Sequence, residues 1–229
     1  MSVERILAID TVTEGCSAAL LQGDEVLEQF EITPRGHTQR ILPMVDALLA
    51  EAGCSLQQID AIAFDRGPGS FTGLRITAGV VQGLAYGADR PVIPISSLAA
   101  LASAHYRKSG ALKILAAIDA RMQEVYWGIY QIDETGCPQR QGEEQVLAPE
   151  ALPDVEGVWS GVGSGWAAYG DLLKDRFTGQ VEQIDGEALP QAGEIARLAL
   201  TELRAGKVLP PEKAQPVYLR NQVVHQKSK

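Results

Sequence analysis

Two aspartates, Asp10 and Asp119, each close an apolar run ending in Ile-Asp and open a polar turn of five residues before a second apolar run. Small residues in such a turn let backbone N–H groups approach a phosphate. The first turn, Thr11-Val12-Thr13-Glu14-Gly15, is short of glycine, and the second, Ala120-Arg121-Met122-Gln123-Glu124, has none. Met122 and Glu124 would obstruct or repel a triphosphate, so both turns read as eroded nucleotide sites or as plain strand ends. A denser motif is Arg66-Gly67-Pro68-Gly69-Ser70-Phe71-Thr72-Gly73-Leu74-Arg75. Its glycines and proline fix a tight loop, and Ser70 or Thr72 can cap a following helix. It offers no general base. No GxSxG elbow and no GxxxxGK[ST] occurs, which argues against a serine hydrolase triad and against P-loop phosphate chemistry. His37, His105 and His225 lie 68 and 120 residues apart, and Cys16, Cys54 and Cys137 form no CxxC. That pattern argues against a zinc site or a disulfide framework and suits a reducing cytoplasm.

These residues sit on a chain of 229 residues with 45% apolar content, enough to bury a core in one large domain or two lobes. A net charge of −9 makes a poor stand-alone nucleic-acid binder. The charge is uneven: from 204 to the end there are six Lys/Arg against one acid, Glu212. Such a tail is a solvated end or a contact for an acidic partner or RNA. The start, MSVERILAID, reaches an Asp after four apolar residues, so no secretory leader is expected. No run approaches the ~18 apolar residues of a membrane helix.

The patterning predicts strands over 3–10, 15–21 and 26–32 as a meander, then a helix over 37–52 that starts late or kinks at Pro43. A strand over 59–64, a helix over 73–86, a strand over 91–95 and a helix over 97–106 follow. The order then restarts at 115–130, with a strand near 144–147, a helix after Pro149, a strand over 157–160 and helices over 166–173 and 192–205. A repeated βββαβα order implies internal duplication and two α/β lobes, 1–107 and 108–229, about a cleft. The last helix is assigned to the second lobe, although it could pack back on the first.

A duplicated βββαβα fold with an Asp at each first hairpin resembles the actin-like, sugar-kinase and heat-shock-ATPase (ASKHA) superfamily. That resemblance implies residual nucleotide contacts at Asp10, Thr11, Asp119, Gly161 and Gly163, because the superfamily's hairpins hold ATP phosphates and a glycine turn packs under the adenine. An ordinary strand-to-helix turn explains 160–165 equally well.

AIDTVTEGCSAAL, AFDRGPGSFTGLRI, IDARMQEVYW and PVYLRN, in this order, resemble the bacterial TsaB (YeaZ) family over the whole chain. Asp65 departs from the pattern, which has a small residue before Arg-Gly-Pro-Gly. The resemblance implies a scaffold and activating subunit in the formation of threonylcarbamoyladenosine next to the anticodon of ANN-decoding tRNAs. Such a subunit is not itself an enzyme. It dimerises with a catalytic TsaD-type paralogue, helps recruit a TsaE-type ATPase, and reaches tRNA through the complex. It requires no cofactor of its own beyond weak ATP or ADP. The TsaD branch carries two metal-ligating histidines where Ser97 and Leu101 stand here, and neither of these can hold a transition metal. Partner contacts are implied for Leu42, Val45 and Leu49 on one helix and Thr77, Val80, Val81 and Leu84 on the next. Small residues at Ala78, Gly79, Gly83 and Gly87 would allow close approach, either by the paralogue or by a second copy of the chain. The alternative is a self-sufficient small-molecule kinase of the actin-like superfamily. A glycoprotease is a weaker third reading, since neither a metal pair nor a nucleophile constellation is present.

Overall fold

The computed structural model describes residues 3–220. The basic tail, read as a solvated end or a contact for an acidic partner or RNA, lies outside the described residues from 221 onward.

Strands β1 (Arg5–Asp10), β2 (Gly15–Gln22) and β3 (Glu25–Ile32) form an antiparallel meander, and β4 (Ala61–Asp65) and β5 (Val92–Ile95) extend it in parallel, giving the order β3-β2-β1-β4-β5. The second sheet has β6 (Lys113–Asp119) antiparallel to β7 (Val125–Ile132), with β8 (Pro138–Arg140) and β9 (Gln145–Leu147) both on β7. On its other side β6 runs parallel to β10 (Trp159–Val162), and β10 to β11 (Val181–Asp185). The order β8-β7-β6-β10-β11 repeats that of the first sheet, which is the duplicated ASKHA architecture expected from the sequence.

Alternation along the first sheet makes two apolar faces. Leu7, Ile9, Ala18 and Leu20 pack beneath α1 (His37–Glu51) and α2 (Phe71–Ala88). Ile6, Ala8, Ala19 and Leu21 meet Ile195, Ala196 and Ala199 of α6 (Ala192–Arg204). The last helix therefore covers the first sheet. Helix α3 (Ser97–Ser109) lays Leu98, Leu101 and Ala102 on Ile114, Ala116 and Ile118 of the second sheet. The far face of that sheet is closed by Trp127, Trp166 and Phe177, with the Trp127 and Phe177 rings stacked at 5.3 Å.

Several local expectations need correction. Helix α1 starts at His37 and runs through Pro43, so it does not start late. The expected strand over 157–160 is shifted to Trp159–Val162. Only a single 3-10 turn, Pro149–Ala151, follows where a helix was expected after Pro149. The helix over 166–173 is two short ones, α4 (Ser164–Ala168) and α5 (Gly170–Arg176), because Tyr169 leaves helical geometry between them. Strand β11 has mostly exposed side chains along VEQID, so no apolar run announced it.

Candidate functional site

The helical period of 3.6 residues divides each of α1 and α2 into two faces. Ile41, Met44, Val45 and Leu48 of α1, and Thr77, Ala78, Val81 and Ala85 of α2, face the first sheet and are buried. On the other side Leu42 is 45% exposed, Leu49, Val80 and Leu84 are half-buried, and Gly79, Gly83 and Gly87 are exposed. Of the seven residues expected to meet a partner, Leu42 is exposed, and Leu49, Val80 and Leu84 pack at the edge of the core with part of each side chain open to solvent. Val45, Thr77 and Val81 are buried, as is Ala78 among the small residues. A Cβ added at Gly79, Gly83 or Gly87 would meet nothing within 4 Å. Glycine in a helix costs about 1 kcal/mol relative to alanine, and the fold of this chain gives no packing reason for it at these positions. Replacing Val81 by Arg places a guanidinium at a fully buried site. It is expected to destabilise the fold by more than about 3 kcal/mol, read as loss of a cooperative thermal transition.

The glycine-rich loop is a packing device. Ser70 N–H donates to Val12 O at 2.7 Å, and the Ser70 hydroxyl caps α2 by accepting from Gly73 N–H at 3.4 Å. A Cβ on Gly73 would stand 2.0 Å from Thr11 O, and one on Gly69 2.5 Å from Val12 O. Only glycine lets the loop and the first hairpin come this close. Thr11 completes the joint, its hydroxyl 2.7 Å from that of Thr77 and donating to Gly73 O at 2.9 Å.

A cavity of about 1300 Å³ opens between the lobes, walled by both hairpins, the glycine-rich loop, the start of α4 and segment 217–220. Of the five residues expected to contact nucleotide, only Asp119 lines it. Its carboxylate accepts from Arg121 N–H and from the Tyr169 hydroxyl, and pairs with the Arg121 guanidinium at 3.2 Å. Asp10 and Thr11 are fully buried. The α-carbon of Gly161 is covered by the Trp166 indole, which a Cβ would meet at 2.5 Å, and a Cβ on Gly163 would meet Ala117 O at 2.4 Å. The side chains of Asp10 and Thr11 and the α-carbons of Gly161 and Gly163 are thus covered by the chain itself, while Asp119 faces the cavity. In the second hairpin Arg121, Met122 and Gln123 all take positive φ, at 63°, 56° and 63°. This left-handed run costs roughly 1–2 kcal/mol per residue.

Between Ser96 and Arg66 of the first lobe and Tyr130 of the second lies Glu144, which sequence reasoning did not single out. Its carboxylate accepts from the Ser96 hydroxyl, from Tyr130 Oη at 2.6 Å and from Arg66 Nη2 at 3.0 Å. Burial, then the adjacent Glu144 charge, holds the Tyr130 phenol well above its usual range. Glu144 sits in a polar, unpatterned segment, so nothing in the local sequence marks it as buried. A second cluster missed in the sequence joins the C-terminal segment to α2. Tyr218 packs on Phe71 at 5.6 Å, and the Arg75 guanidinium lies 3.8 Å from the Phe71 ring centre.

At the two positions where the resemblance implies histidines in the TsaD branch, Ser97 donates its hydroxyl to Asp65 Oδ1 at 2.6 Å, and Leu101 is fully buried against the second sheet. Among the described residues no group of three or more His, Cys, Asp or Glu could hold a metal ion. No helix there is long and apolar enough to cross a membrane.

Two duplicated lobes about a cleft, with the first lobe's helices presenting an apolar and glycine-bearing face, define an ASKHA-fold protein. The family model TsaD, tRNA N6-adenosine threonylcarbamoyltransferase, matches residues 25–227. The tRNA threonylcarbamoyladenosine biosynthesis protein TsaB of Escherichia coli K12 is 50% identical over 228 residues, covering 97% of each chain. Its counterpart in Haemophilus influenzae is 44% identical, covering 97% of this chain and 96% of its own. Among solved structures, YeaZ from Pseudomonas aeruginosa superposes with a TM-score of 0.87 at 46% identity, over 94% of this chain and all of that one. The chain belongs to the TsaB family of tRNA threonylcarbamoyladenosine biosynthesis proteins, within the reach of the TsaD family model.

Proposed function

We propose that this chain is a non-catalytic, cytoplasmic subunit for threonylcarbamoyl transfer to tRNA, acting by docking onto a TsaD-type paralogue and helping to recruit a TsaE-type ATPase. The observation that carries this reading is the stripe of exposed Gly79, Gly83 and Gly87 on α2 with open space above it, together with exposed Leu42 on α1 and the solvent-facing parts of Leu49, Val80 and Leu84 at the core's edge. Small residues at i, i+4 and i+8 allow a partner helix to approach closely, and the flanking apolar side chains supply the burial. A stable pairing through this face would bury roughly 1,200–2,000 Å². The chain requires no cofactor in this reading and reaches tRNA through the complex.

The test is a leave-one-out reconstitution with TsaC, TsaD, TsaE, ATP, threonine, bicarbonate and unmodified tRNA, with threonylcarbamoyladenosine quantified after digestion. Modification is expected only when this chain is present, with none from the chain alone. Equal modification in its absence would remove the subunit reading. Micromolar ATP affinity with turnover by the isolated chain would instead favour a kinase of the same fold.

A further inference from the structure

Asp10 and Asp65 end adjacent parallel strands. The pairing of Ile9 with Phe64 places the two aspartates side by side at the ends of β1 and β4. Both are buried, at 0% and 1% exposure. Asp10 Oδ1 accepts from Val12 N–H at 2.9 Å, and Asp65 Oδ1 accepts from Gly67 N–H at 2.7 Å and from the Ser97 hydroxyl. The second oxygen of each carboxyl, Oδ2, is buried with no hydrogen-bond partner among the described residues. Two adjacent buried carboxylates cannot both stay ionised, since each disfavours the charge of the other and neither is solvated. One proton between them removes one charge and supplies the missing donor.

We propose that Asp10 and Asp65 share a single proton, as a carboxylic acid–carboxylate pair that clamps the ends of β1 and β4 beneath α2 and makes the stability of the fold depend on pH up to neutrality. The clamp holds the first hairpin and the glycine-rich loop, the two segments joined through Thr11, Gly73 and Thr77 at the base of α2.

Burial is the leading cause of raised proton affinity at both sites. It pushes Asp65 up to about 7, and at Asp10 the neighbouring Asp65 charge adds to it. The charged and titratable groups around the pair are Cys16 on β2, Glu28 on β3, Arg66 on the loop and Glu144 from the second lobe. Burial keeps the Cys16 thiol protonated, at about 11, throughout the relevant range. Glu28 is itself raised by burial and contributes a slope of the same sign. The sign follows from linkage: the folded chain keeps a proton that the unfolded aspartates release near pH 4. The stabilisation is therefore complete below that pH, declines as pH rises, and is lost as the folded pair gives up its proton well above the ordinary carboxylate range.

Asp65→Asn is the informative variant. Its amide oxygen can still accept from Gly67 and Ser97, while its NH₂ replaces the shared proton toward Asp10. Unfolding constants would be measured by denaturant titration between pH 5 and 7 for both chains. Their ratio, wild type over variant, is expected to rise about tenfold per pH unit, with the Glu28 contribution cancelling. A ratio that is flat in pH overturns the proposal. A ¹³C titration of labelled aspartate carboxyls in the wild-type chain decides the case even if the variant does not fold. One resonance at a protonated position at pH 5.5 supports the pair, and ionised signals for both residues refute it.

Discussion

Gly83→Arg is expected to weaken binding of the TsaD-type partner by at least 100-fold and to abolish modification in the reconstituted system, while leaving the isolated chain no less stable than wild type. Position 83 is exposed, and nothing lies within 4 Å of a Cβ placed there. Arginine is also a better helix former than glycine by roughly 0.5–1 kcal/mol, so the thermal midpoint should hold or rise slightly. On the partner side, a long cation in the middle of a small-residue stripe blocks close helix approach and desolvates an unpaired charge, a penalty of several kcal/mol. Titration calorimetry and a melting curve on the same preparation separate the two effects. Val81→Arg, two residues away and inward-facing, serves as the contrast, since it should lose the fold itself. Unchanged affinity in Gly83→Arg would show that this face is not the docking surface.

Glu144→Ala is expected to destabilise the fold from the boundary between the lobes. The residue is 7% exposed, and its carboxylate is the common acceptor for Ser96, Tyr130 and Arg66, drawn from both lobes. Truncation leaves the Tyr130 hydroxyl without that acceptor in a buried site and the Arg66 guanidinium, 20% exposed, without its carboxylate. Removing one partner of such a pair costs about 3–5 kcal/mol. For a chain of this size that is roughly a 6–20 °C fall in Tm. Because the contacts bridge the lobes, hydrogen exchange should accelerate on both walls of the cleft rather than at one strand alone. A change of under about 1 kcal/mol would mean that the lobes are held by their apolar contacts and that the ion pair is incidental.

Much of the architecture was legible because it is written in periodicity. Apolar runs ending in Asp10 and Asp119 marked the first strand of each lobe, and the repeat of element order gave the duplication. The outward face of α1 and α2 was only half legible. A helix with two apolar stripes shows that one is surplus to the core, and the sequence does not say which. Contact with β1, β2 and β4 decided that Val45, Thr77 and Val81 are buried, that Leu49, Val80 and Leu84 pack at the edge of the same core, and that Leu42 is exposed. The glycines at 161 and 163 show a different limit of local reading. Gly161 and Gly163 suggested a ligand approaching the backbone, whereas the groups that approach are the Trp166 ring and the Ala117 carbonyl. A glycine signals close approach without naming what approaches.

The sequence by itself determined the class of fold, the repeated element order and the family, all of which depend on local pattern or motif. Only the tertiary structure decided that the last helix closes the first sheet, that Glu144 ties the lobes together, and that Asp10 and Asp65 face each other with one unpartnered oxygen apiece. Asp10 and Asp65 are 55 residues apart, and Arg66 and Glu144 are 78 apart. Their energetics arise from burial and mutual approach, which strand order and lobe packing create and which no local stretch of sequence encodes.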